Sequence, residues 1–174
     1  SWAIWDESDI RNLDIFDIEK NPETLTKLKP QIVLVALNIS APLKDKLSNF
    51  HHAKPGPSTD NLKKLRYTLS GTPLEGAYMT DIIKDIPQSN SRILMDSLKE
   101  NPKIEIRNII RFRKEIKDLG VENCSVIAIG RDAEDILKRN LEDKYCIREI
   151  PHYGDPWRNR DFDIYREKVL TEIA

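Results

Sequence analysis

Ile32-Val33-Leu34-Val35-Ala36-Leu37, just after Pro30-Gln31, is an unbroken β-branched and apolar run. Runs of this kind are characteristic of strands covered on both faces, as in parallel sheets flanked by helices. This one is therefore expected near the centre of such a sheet. Two similar runs follow at residues 125–130 and 145–150, and residues 76–80 form a shorter candidate. Helical patterns fit between them. Residues 60–69 repeat leucine at helical spacing with Asp60 placed as N-cap. Residues 89–100 and 104–119 read as helices, the second ending before Gly120, a residue suited to the left-handed position past a helix. A further helix opens at 131–138, and residues 161–173 set Phe162, Tyr165, Val169, Leu170 and Ile173 at roughly helical spacing. Strand and helix in alternation predict an α/β domain of three layers, a mostly parallel four-stranded central sheet with helices on both faces.

The totals bound the function. With 174 residues and no repeat or composition break, the chain is expected to form a single domain over 1–174 and a monomer. No apolar run approaches the roughly 20 residues that span a bilayer, and Ser1-Trp2-Ala3-Ile4-Trp5-Asp6 lacks the pattern of a signal peptide. A cytoplasmic protein without membrane partners is the expectation. Cys124 and Cys146 flank apolar runs and are expected as reduced core residues, and Trp2 and Trp5 as packed against the body. No zinc-like spacing of His and Cys occurs, so neither metal nor cofactor is expected. A net charge of −1 carries no general excess of cations, so any nucleic-acid site has to be a local patch. Lys63, Lys64 and Arg66, or Arg158, Arg160 and Arg166, are either phosphate contacts or simply a solvated face.

Three proposed strands end on polar residues: Asn38, Asp81, and His152 after Pro151. In open α/β sheets ligands bind beyond the carboxyl ends of the strands, so parallel strands would bring these three together. Each also has a structural reading: Asn38 caps a turn, Asp81 caps a helix starting at Ile82, and His152 is a loop histidine. The long irregular stretch 39–59, with Pro42, Pro55, Gly56 and Pro57, follows the best strand and falls where a site is expected.

These residues carry a resemblance to the uracil-DNA glycosylase superfamily, in order from about residue 31 to about residue 165. Ala36-Leu37-Asn38-Ile39-Ser40 resembles the Gly-Ile-Asn-Pro-Gly type of motif of the mismatch-specific branch, whose Asn holds the attacking water; the match is the Asn itself. Residues 80–84 resemble the Thr-Asn-Ala-Val-Lys version of the strand that ends in a base-reading Asn, with Asp81 at the Asn position. Val126 to Ala133 is similar to the family's strand-Gly-x-x-Ala-helix step. His152-Tyr153-Gly154 falls where the family has His-Pro-Ser, and Phe50 falls in the stretch that supplies an aromatic platform.

The resemblance implies a uracil-DNA glycosylase-like domain that hydrolyses the N-glycosidic bond of a flipped-out base. Asn38 and His152 would be catalytic, the first orienting water and the second donating to the departing base. Asp81, Phe50 and Tyr153 would bind the base, Tyr153 or Trp157 would fill the vacated gap, and Ser40, Lys84 and Arg158 would contact phosphate or DNA. His51-His52, beside Phe50, either binds a phosphate or has no role. An ionised Asp81 only accepts hydrogen bonds and would repel O4 of uracil, so it points to a base presenting two donors. The partner is then DNA or a nucleobase or nucleotide ligand. The alternatives are a non-catalytic nucleobase, nucleotide or single-stranded nucleic-acid binder of the same fold, or an unrelated α/β domain.

Overall fold

A computed structural model describes residues 1–5, 22–42, 57–121, 123–154 and 161–174, with the side chains of 57–60 excepted. Four parallel strands form one sheet in the order β2-β1-β3-β4: β1 Lys29–Asn38, β2 Ala77–Ile83, β3 Ser125–Ile129 and β4 Cys146–Ile150. The Ile32–Leu37 run is interior, flanked by strands on both sides. Helices α1 (Pro57–Leu69), α2 (Ser91–Glu100), α3 (Pro102–Asp118), α4 (Arg131–Leu141) and α5 (Phe162–Ile173) complete the elements, with a short 3₁₀ turn at Pro22–Lys27.

Alternation along the strands divides the interior into two apolar layers. Leu34 and Ala36 of β1 and Ile127 and Ile129 of β3 pack with Leu62, Leu65 and Leu69 of α1 and Tyr165 and Val169 of α5. Val33 and Val35, with Val126 and Ala128, pack against Leu94, Leu98, Phe112, Ile116, Ile136 and Leu137 of α2, α3 and α4. The expected helix–sheet–helix layering is thus observed. The sheet order supplies its reason. The crossover from β1 to β2 moves one way across the sheet and the crossover from β2 to β3 moves back the other way. Right-handed connections then place α1 on one face and α2 and α3 on the other.

Several local expectations need correction. Helix α1 starts at Pro57, so Asp60 lies in its first turn and is not its N-cap. Proline is pre-set for a first helical position, which explains the earlier start. Asp81 caps no helix, because Asp81 and Ile82 belong to β2. Asp161 does cap α5, accepting from the backbone N–H of Asp163 and Ile164. Cys124 is buried but Cys146 is exposed, because it stands at the amino end of the edge strand β4 opposite the exposed Ser125; both are free thiols. Lys64 and Arg66 are buried, not a solvated face, and the Lys64 ammonium lies 5.4 Å from the Tyr165 ring centre. Residues 1–3 add an antiparallel strip along β2, with Ala3 N–H on Ala77 O and Met79 N–H on Ser1 O, both 2.8 Å. Trp5 joins the α1/α5 layer, and Trp2 meets Tyr78 edge to face at 5.1 Å. Among the described residues no helix is long and apolar enough to cross a membrane.

Candidate functional site

The chain leaves β1 toward α1 on one face and leaves β3 toward α4 on the other, so the carboxyl ends of these neighbouring strands diverge and open a crevice. A cleft of about 560 Å³ lies there. Its walls come from Ala36 to Asn38 and Ser40 after β1, Ile129 to Ala133 at the β3–α4 step, and His152 to Gly154 after β4. Asn61 and Leu62 of α1 and Gln88, Ser89 and Ser91 ahead of α2 complete it.

Asn38 ends β1, and its amide nitrogen lies 2.8 Å from Ile39 O, 2.9 Å from Ile86 O and 2.9 Å from Gln88 O. Three carbonyls around one atom require a donor there, which fixes the orientation of the amide. The side chain thus pins the segment after β2 to the end of β1. Its other atom, Oδ1, has no hydrogen-bond donor among the described residues, and the residue lines the cleft. The structural reading and the functional reading of Asn38 use opposite ends of the same group.

His152 follows Pro151, whose carbonyl accepts from the Tyr165 hydroxyl at 2.8 Å, so α5 anchors the end of β4. The imidazole Nδ1 accepts the Gly154 N–H at 3.0 Å, so the neutral ring carries its proton on Nε2. Two glycines make room for the ring. A Cβ at Gly154 would stand 3.1 Å from Cε1 and Nδ1, and one at Gly130 would stand 3.1 Å from the His152 Cβ. Gly130 also holds φ +89°, a conformation that other residues rarely adopt, and its N–H bonds Ile150 O at 2.8 Å. Tyr153 stacks on His152 at 4.6 Å and 21°. Its ring is buried, and burial pushes the phenol well above its usual pKa, so it is neutral at any physiological pH.

Asn38, His152, Tyr153 and Ser40 therefore share the cleft, and two other expected residues do not line it. Asp81 pairs with Ala36 across β1/β2 and, two residues on from Met79, belongs to the α1/α5 face. Its Oδ1 is buried without a hydrogen-bond partner. Burial raises its pKa to about 6; Lys84 lowers it and Glu115 raises it. Lys84 points to the α3 side: its ammonium is 2.6 Å from Glu115 Oε2, 2.6 Å from Thr80 Oγ1 and 2.7 Å from Asp81 O. Glu115 also accepts from Tyr78 and Thr80, at 2.6 and 2.9 Å, so an anion on that face holds the lysine away from the cleft. Phe50, His51, His52, Trp157, Arg158 and Arg160 lie outside the described residues.

Sequence reasoning missed Asn61, Gln88 and the pair Arg131-Asp132. The last pair was visible in principle: it follows the β3 run directly, at a strand end like those of Asn38 and His152. Asp132 is the one carboxylate on the cleft wall among the described residues. Asn38 stands three residues past Val35, and Arg131 stands three past Ala128, the partner of Val35 in the ladder. Asp132, one residue further, is thus delivered close to the level of Asn38, in the first turn of α4 where a negative charge is favoured. No group of His, Cys, Asp and Glu able to hold a metal ion occurs among the described residues. Compared with known proteins, the chain matches no protein-family model, no curated protein and no solved structure, so the uracil-DNA glycosylase resemblance rests on its motif residues alone.

Proposed function

We propose that the cleft receives a nucleobase and hydrolyses its N-glycosidic bond. The observation that carries this reading is the fixed amide of Asn38, a cleft-lining residue whose N–H₂ is committed to backbone carbonyls while Oδ1 is left without a donor. An acceptor held in that way orients a water without competing for its own donors. Amide oxygen cannot take the water's proton, and Asp132 supplies the carboxylate that can. Water oxygen bonds to the anomeric carbon, the C–N pair leaves with the base, and the water's proton passes to Asp132. His152 Nε2–H donates to the base as it gains charge.

Asp81 does not line the cleft, so its charge does not select the base. Asn61, an amide on the wall with both a donor and an acceptor, takes that role and suits an edge of mixed character such as that of uracil. A second reading, a nucleobase, nucleotide or single-stranded binder without cleavage, is favoured by the single cation on the described wall, Arg131, since duplex binding draws on several phosphate contacts. The experiment measures abasic-site formation on oligonucleotides that each carry one uracil, hypoxanthine, xanthine or guanine, with calorimetry of the free bases in parallel. Cleavage lost by about 100-fold or more in Asn38→Ala and in Asp132→Asn supports hydrolysis. Binding of a free base without cleavage selects the second reading, and neither binding nor cleavage overturns the site.

A further inference from the structure

Helix α3 presents a surface unrelated to the cleft. Its inner face is ordinary: Ile109, Phe112 and Ile116 are buried in the core. On its outer face Ile106 and Ile110, one turn apart, are 56% and 62% exposed. Around them stand Lys103, Arg107, Arg113, Lys114 and Lys117, all exposed. At 3.6 residues per turn these seven positions fall within an arc of about 120°, and no acidic residue lies inside it. Over 17 residues the helix runs about 25 Å. The neighbouring acids sit outside the arc: Asp85 meets Arg107 and Arg111, and Asp118 meets Lys114. These pairs are solvated, while Lys103 and Lys117 have no acidic partner among the described residues. In a chain of net charge −1, so one-sided a stripe is a local feature that overall composition conceals.

We propose that this face of α3 rests on an anionic lipid surface. Two properties select that partner. Clustered cations on an amphipathic helix match the charge of a leaflet rich in acidic headgroups. Isoleucines between the cations have no use against phosphates of a nucleic acid but enter the boundary between headgroups and acyl chains. The exposed side of one helix is also a ridge about 25 Å long, not a groove for a peptide. This is contact with a membrane surface, not insertion across it.

The test is co-sedimentation of the full chain with vesicles of phosphatidylcholine alone and of phosphatidylcholine mixed with phosphatidylserine. Binding is expected only to the second and should fall as salt is raised. Lys103→Gln with Lys117→Gln, and separately Ile106→Ser with Ile110→Ser, should each reduce partition by about tenfold. All four side chains are exposed, so unchanged thermal unfolding verifies that the fold is kept. Absence of binding to the acidic vesicles overturns the proposal, as does binding that neither pair weakens. Binding of a single-stranded or duplex oligonucleotide that the lysine pair weakens and the isoleucine pair does not, without vesicle binding, assigns the stripe to nucleic acid instead.

Discussion

At the scale of single residues, Asn38 and Asp81 make opposite predictions although both end up near the top of the sheet. Asn38→Ala removes the donor shared by three carbonyls and should cost about 1–3 kcal/mol in urea unfolding. Asn38→Asp, closer in shape, should cost more, because it turns an acceptor toward those carbonyls. Equal costs would mean that the amide is oriented the other way. For Asp81 the folded pKa is raised from 3.8 to about 6. The fold therefore favours the protonated form, and this stabilisation is complete below about pH 4 and is lost as pH rises through 6. With about 1.4 kcal/mol per unit, the loss is on the order of 2–3 kcal/mol. Asp81→Asn keeps the shape without the charge and should be more stable than the native protein at pH 7.5 by a similar amount, with the two converging near pH 4. A variant that is less stable at pH 7.5 would show that the ionised carboxylate is compensated.

Among the elements, the step from β3 into α4 is the one whose disturbance should reach the cleft. Gly130→Ala places a methyl 3.1 Å from His152 Cβ on a backbone of φ +89°, so it should destabilise by about 1–3 kcal/mol and shift the His152 resonances in an NMR spectrum. An unperturbed imidazole would show that the ring does not depend on this close approach. The elements were legible in the sequence to different degrees, for physical reasons. The apolar run of β1 and the spacing in α2, α3 and α4 are written in burial periodicity, and the structure follows them. Strand β2 was read short, because its last residues, Asp81-Ile82-Ile83, mix a buried carboxylate with apolar side chains on the far face. Lys84 is misplaced because nothing local announces Glu115, an acid 31 residues further on in α3, which holds it on the face it shares with Tyr78 and Thr80. His152 and Asn38 were found by the rule of strand ends; Asp132 obeys the same rule but was passed over as part of a structural step.

Across the whole molecule, the sheet separates two apolar layers, and β1, like β3, contributes to both. Leu34 packs in the layer of α1 and α5, while Phe112 anchors the layer of α2, α3 and α4; both are fully buried. Truncating Leu34 to Ala is expected to cost about 2–5 kcal/mol, and Phe112→Ala about 3–5 kcal/mol. Made together they should be nearly additive, since the sheet separates the two sites and they share no cavity; strong coupling in denaturant unfolding would mean that the layers are not independent. The strand order also has a meaning in time. β1 emerges first during synthesis, yet its two neighbours are Ala77–Ile83 and Ser125–Ile129. At roughly 5–20 residues per second, the interval between completing β1 and completing β3 is on the order of 5–20 s. For that interval the most apolar segment of the nascent chain has at most one of its two partners, which makes it a natural substrate for chaperones that hold exposed strands.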